Sequence, residues 1–315
     1  MEIVIFDTNA YRYLIQDKSF AELDKYIKKI KSKEKKLSIQ TYLSPIVAKE
    51  LLAHIADKND PSYEKCLKAI KAMYLHCSEQ NGKVYRMLAS PEMLIAKSFF
   101  NTAIPRKEET FNALIQIAFH LAKGPTEDKF RKFQKNLNQN RNHVLESENF
   151  FATSLYDFIK KIDPNSIGWN IFKNNQSKRT KLLKSIRSDE VSLELAGGFI
   201  YTVYLLLQSE NLIKTQLTVE KLVDMSMEFV NFFPEYIALY KKVLENLVNS
   251  EFNLFENSRS NFLWDIQLMM NVGKHTINGQ KLYFVTSDKA IIEAAITNNG
   301  KYSILTFDEY LDYIN

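Results

Sequence analysis

With 315 residues, 45% of them hydrophobic and 25% charged, the chain is long enough for one large domain or two smaller ones and has the ordinary balance of a soluble globular protein. No apolar run approaches the ~20 residues that span a bilayer, and the chain opens straight into an apolar strand without a basic region before it, so neither membrane span nor signal peptide is expected. The formal net charge of +5, from 42 basic against 37 acidic residues, permits nucleic-acid binding without arguing for it.

Ile3–Phe6 is a β-branched and aromatic run of the kind that forms a buried parallel strand, ending at Asp7-Thr8-Asn9. A helical pattern follows from about Ser19 to Lys35, then a second strand over Leu37–Leu43. Ser44-Pro45 is a helix start, with Ser as N-cap and Pro at the first helical position, and opens a helix over Pro45–Ala56. From Pro61 to Ser250 long amphipathic segments succeed one another, among them Glu92–Ala103, Glu109–Lys123, Phe130–Phe151 and Leu217–Leu247. No strand is expected there, and only the apolar patches near Gly197–Leu207 are ambiguous. The two cysteines, Cys66 and Cys77, fall in this region without metal-ligand spacing and suit a reduced, cytoplasmic protein. Then the α/β rhythm returns: helix over Asn261–Met270, strand over Lys281–Val285, helix over Asp288–Thr297 and strand over Tyr302–Phe307. Parallel strands need crossovers, and two chain ends can share a sheet whatever lies between them. The expected fold class is therefore α/β, a parallel sheet flanked by helices and built from both chain ends (1–60 and 251–315), with a large all-α insertion (61–250).

Four acids stand out by position. Asp7 ends the first strand and Asp288 follows the strand that closes at Val285, both at the carboxyl edge where open α/β sheets place their ligands. Glu50 lies in the helix after the second strand, and Asp265 in the helix before Lys281–Val285. Converging carboxylates repel one another unless a cation joins them, and they suit hard Mg²⁺ or Mn²⁺, which can activate water and stabilise the leaving oxygen in phosphodiester hydrolysis. Taken singly, Asp-Thr-Asn is an ordinary turn, Thr-Ser-Asp an ordinary cap and Glu50 an ordinary surface charge. Their order and placement together point to one site.

Three segments carry a family resemblance. IVIFDTNAYRYL, SPIVAKELLAHI and WDIQLMMNV with KLYFVTSDKAIIEAA resemble the motifs of PIN-domain nucleases, the PilT N-terminus family that includes VapC-like ribonuclease toxins. The resemblance spans roughly the first 60 and last 65 residues. It implies that Asp7, Glu50, Asp265 and Asp288 hold Mg²⁺ or Mn²⁺ and catalyse hydrolysis, with Asn9 and Thr286 in supporting polar positions. The 214 residues between Glu50 and Asp265 depart from the compact family pattern. Tyr11 and Tyr13, just after Asp7 and able to stack on bases, and His54, one turn beyond Glu50, are further substrate-binding candidates.

An endoribonuclease cutting single-stranded RNA, of a toxin or defence type, is what the resemblance implies, with RNA preferred to DNA. Basic runs at Lys25–Lys36, Lys129–Arg141 and Lys178–Arg187 could contact phosphates, or simply be solvated helix faces. The insertion could serve as a lid, a clamp, a surface for homo-oligomers or the seat of a protein inhibitor; no membrane partner is expected. Two other functions compete. One is a PIN module that binds nucleic acid or protein without cutting. The other is a HAD-like phosphatase, whose first motif IVIFDTN superficially resembles; there the second acid would fall at Asn9, which cannot serve as one.

Overall fold

The first strand, β1 (Glu2–Phe6), is buried from Ile3 onward, as a strand flanked by partners on both edges must be. The computed structural model describes residues 2–249, 253–255, 262–273, 276–277, 279–297 and 300–315. A short helix α1 (Thr8–Leu14) starts directly at the end of β1, capped by the Asp7 side chain, which accepts from the Ala10 N–H. Helix α2 (Glu22–Lys36) leads to β2 (Ile39–Tyr42), which pairs parallel with β1, Glu2 opposite Ile39. Then Pro45 opens α3 (Pro45–His54), as expected.

The middle of the chain is helical: α4 (Tyr63–Cys77), α5 (Pro91–Phe100), α6 (Pro105–Ala122), the 36-residue α7 (Glu127–Ile162), α8 (Gln176–Ile186), α9 (Asp189–Ser209), α10 (Val219–Phe232) and α11 (Pro234–Asn249). Between α4 and α5 two tiny strands, β3 (Ser78–Glu79) and β4 (Val84–Tyr85), pair antiparallel where no strand was expected. The expected helix Leu217–Leu247 is two helices, because Pro234 lacks the N–H that an uninterrupted helix would need there. The ambiguous Gly197–Leu207 stretch is helical, inside α9. By length and composition alone α9 would suffice to cross a bilayer, contrary to the sequence expectation. In the fold it lies along α10, and Gly197 permits the approach: a Cβ there would stand 3.0 Å from Ser226 Oγ.

After α12 (Phe262–Leu268), strands β5 (Thr276–Ile277) and β6 (Gln280–Val285) form a hairpin, followed by α13 (Lys289–Thr297), β7 (Ile304–Leu305) and α14 (Phe307–Tyr313). Asn261, the expected start of α12, lies outside the described residues. Strand β6 pairs parallel with β1, Phe6 opposite Val285. Its other edge takes β5, antiparallel, at the amino end and β7, parallel, at the carboxyl end. The parallel order is thus β2-β1-β6-β7, drawn from both ends of the chain around a large helical insertion.

The insertion is not a separate lobe. One continuous hydrophobic cluster includes Val4, Ile5 and Phe284 of the sheet together with Ile115, Leu137 and Val243 of the inserted helices. Helix α3 packs against α4, α6 and α7, and α11 against α12 and α13.

Candidate active site

The parallel register positions the first two groups. Because Phe6 lies opposite Val285, the next residues, Asp7 and Thr286, are also side by side, with the Asp7 N–H bonded to the Val285 carbonyl at 3.1 Å. Thr286 Oγ1 donates to Asp7 Oδ2 at 2.5 Å. Asp7 is almost wholly buried and Thr286 entirely so. Thr286 therefore orients Asp7 and does not itself face the cleft.

At this carboxyl edge Asp7, Glu50, Asp265 and Asp288 line one cleft of about 500 Å³, with Asn9, His54, Arg12, Tyr13 and Lys289 around them. Glu50, on α3, accepts from Thr8 Oγ1 at 2.7 Å. Asp288 caps α13, accepting from the Ala290 and Ile291 N–H groups at 2.8 and 3.1 Å. The capping role foreseen as an alternative thus coexists with its place in the cleft. Asp265 projects from α12, and His54 Nδ1 lies 2.9 Å from Asp60 Oδ2.

Three of these acids are held above the usual carboxylate range. Burial, reinforced by Asp288, pushes the Asp7 carboxyl up to about 6 against the opposing Thr286 and Ala10 hydrogen bonds. Burial raises Glu50 to about 7, with Asp7 and Glu148 adding to the effect. Asp265 is pushed well above the usual carboxylate range by burial and then by Asp288, Glu50 and Asp7. Such a group of acids keeps part of its protons near neutral pH unless positive charge enters.

Among the described residues, no three histidine, cysteine or carboxylate side chains stand close enough to hold one ion among them. The carboxylates share a cleft without closing into a cage. That spacing does not disqualify Mg²⁺, which keeps several waters and commonly binds through one or two carboxylates plus substrate phosphate. The donor set and its raised proton affinities fit a hard divalent cation. A rigid all-protein coordination shell is not present.

Tyr11 is corrected. It points into the core, where its hydroxyl meets Cys77 Sγ at 3.0 Å, and Tyr13 lies at the cleft instead. The cause is α1: helical spacing puts Ala10, Tyr11 and Leu14 on its buried face.

Three residues escaped the sequence reading. Arg12 lies at the cleft with Nη1 3.4 Å from Asn9 Oδ1 and its buried Nε without a hydrogen-bond partner among the described residues, and its charge favours ionised Asp7 and Glu50. Thr8 fixes Glu50. Glu148, from the inserted α7, accepts from Trp264 Nε1 at 2.7 Å, beside Asp265 in sequence. None had a local pattern to mark it, and for Glu148 only the tertiary fold could. The three basic runs contribute no residue lining the acidic cleft.

Both cysteines are free and buried. No protein-family model, curated protein or solved structure matches the chain.

Proposed function

We propose that the protein is a PIN-like, metal-dependent nuclease that hydrolyses phosphodiester bonds of single-stranded nucleic acid, RNA in preference to DNA. One observation carries this: four acids from the two ends of the chain meet in one cleft at the carboxyl edge of a parallel sheet, and Asp7, Glu50 and Asp265 among them have raised proton affinities that a cation would relieve.

Asp7, Glu50, Asp265 and Asp288 would hold Mg²⁺ or Mn²⁺, and such an ion supplies charge for the phosphoryl oxygens and polarises the attacking water. The chain's own residues do the positioning. Thr286 and Thr8 hold the carboxylates of Asp7 and Glu50 in fixed orientations. Arg12 offers its guanidinium to a phosphate from the side of α1, and Lys289 of α13 lines the same cleft. His54 is held by Asp60 and borders the substrate's path. Asn9 turns its amide oxygen to Arg12, which leaves its NH₂ as a donor.

The test is cleavage of labelled single-stranded RNA and DNA with Mg²⁺, Mn²⁺ or EDTA, beside Asp7→Asn. Metal-dependent cleavage that disappears in the variant is the expected result. Cleavage unchanged by Asp7→Asn would place the chemistry elsewhere.

A non-cleaving module is the second reading, favoured by the spacing that leaves no three acids around one point. It predicts nucleic-acid binding without turnover in any metal.

A further inference from the structure

Adjacent residues on two helices divide the acidic cleft from a second cavity. On α3, Glu50 lines the cleft while Lys49 lines a neighbouring cavity of about 550 Å³; on α12, Asp265 lines the first and Trp264 the second. The inserted helices α5, α6, α7 and α9, with Gln267 of α12, build the rest of its wall, and Glu210 at the end of α9 adds a carboxylate to that of Glu92. Its size falls within the range of small-molecule sites.

Its chemistry is layered. Ile46, Phe111 and Leu114 supply an apolar wall, and the amides of Asn136 and Gln139 stand on α7 with both donors and acceptors to offer. Lys49 is only 8% exposed. Its Nζ lies 3.2 Å from His143 Nδ1 and 4.3 Å from the centre of the Trp264 ring, and it forms no ion pair among the described residues. Glu92, in the same wall, is held by Lys107 at 2.5 Å and by Ser90 at 2.8 Å. Its charge is answered by Glu92, Glu50 and Glu148 without direct contact, and an anion entering the cavity would give it a direct partner. Arg106, exposed at the rim, likewise has no ion pair among the described residues.

We propose that this cavity binds one nucleotide of the strand whose neighbouring phosphodiester occupies the acidic cleft, an assignment that rests on the nuclease function proposed above. The phosphate meets Lys49 and Arg106. The base lies along Phe111 and Leu114, with its polar edge toward Asn136 and Gln139. A phosphate alone would leave the apolar wall and the amides unused, and a neutral heterocycle would leave Lys49 unpaired, so affinity requires both halves of the ligand.

Calorimetric titration of the full chain, in EDTA so that no metal enters the cleft, tests this with the four common nucleoside 5′-monophosphates, the matching nucleosides and inorganic phosphate. At least one monophosphate is expected to bind one-to-one, tenfold or more tighter than its nucleoside or phosphate. Arg106→Glu, at an exposed position, should weaken it tenfold or more, and Gln139→Ala should change the ranking of the four bases. No binding by any monophosphate at millimolar concentration overturns the proposal. So does equal binding of inorganic phosphate, which would mean an anion site only, or affinity indifferent to both substitutions. The two assignments fail separately. Cleavage in Mg²⁺ without mononucleotide binding sinks the cavity alone, whereas binding in EDTA by a protein that cleaves nothing removes the nuclease and leaves a nucleotide site.

Discussion

At the scale of single residues, Asp7 shows how one side chain can serve both fold and site. One of its oxygens caps α1 through the Ala10 N–H, and the other takes the Thr286 hydroxyl. Satisfied on both oxygens, it is nonetheless proton-hungry, rising from 3.8 to about 6, while Glu50 rises from 4.5 to about 7. The folded state therefore binds more protons than the unfolded chain between those limits. The stabilising contribution is complete below the unfolded values, near pH 4, and is lost as pH rises through about 6 to 7. A shift of roughly two units corresponds to about 3 kcal/mol for such a group, and mutual repulsion makes the two contributions overlap. In EDTA the melting temperature should fall between pH 5 and pH 8, Mg²⁺ should recover part of it at pH 8, and Asp265→Asn should flatten the slope. A melting temperature that climbs over that interval would contradict the protonated cluster. Thr286→Val, which removes the hydroxyl from a fully buried position while keeping its shape, should cost about 1–2 kcal/mol in denaturant melts, and Thr286→Ser should cost less. If cleavage is found, Thr286→Val should lower it by roughly tenfold with the RNA affinity unchanged, because Asp7 loses orientation rather than the substrate a contact. Asp7, Glu50 and Asp288 were legible because each ends or follows a strand or follows a recognisable helix start, whereas Asp265 sits in a helix with no local mark and stood out only through the family resemblance. Tyr11 and Arg12 were not, since their directions depend on whether residues 8–14 turn or coil, and a seven-residue helix offers too few periods to tell.

At the scale of elements, strands and caps were readable where chemistry is local: the apolar runs of β1 and β6, and Ser44-Pro45 before α3. The two-residue strands β3, β4 and β5 carry no period at all, and arise only because neighbours place backbone groups within reach. Equally silent in the sequence is the way α11 holds the carboxyl-terminal α/β segment. The buried Glu235 carboxylate, at the first turn of α11, lies against the backbones of Gly273 and Gly300: a Cβ at those positions would stand 2.8 and 2.7 Å from its oxygens. Gly273 also has φ +106°, a conformation that L side chains rarely adopt. Gly273→Ala should therefore destabilise by roughly 2 kcal/mol or more, from backbone strain together with displacement of Glu235. Gly168→Ala is the matched control, since φ there is +58° with nothing within 4 Å of the added methyl, and strain alone should cost about 1 kcal/mol. Urea melts of the two variants compare them directly. Equal losses would mean that Glu235 yields freely and does not brace the segment.

At the scale of the whole molecule, the sequence divides at composition shifts near residues 60 and 250, yet the core does not. Ile46, Val47, Leu51 and Leu52 of α3 are buried under α4, α6 and α7, so the helix that presents Glu50 has its other faces covered by the insertion. Ile291 of α13 is likewise fully buried, in a helix that packs against α11. Each large aliphatic side chain returned to water costs about 1.5–3 kcal/mol, and a domain's whole stability is roughly 5–15 kcal/mol. Uncovering α3 alone exposes four such residues, which consumes most or all of that margin before α13 is counted. Excising residues 61–250 and joining the ends with a flexible linker should thus yield a chain without a cooperative denaturant transition and with poorly dispersed amide resonances. A sharp transition in that shortened chain would show that the two ends fold alone and that the shared core is incidental. The same coupling brings Glu148 within electrostatic reach of Glu50: a helix that packs against α3 also carries an acid that accepts from Trp264, the residue before Asp265. The acids at the sheet edge and the cavity walled by the insertion are then two faces of one packed layer, and a change that loosens α7 should disturb both together.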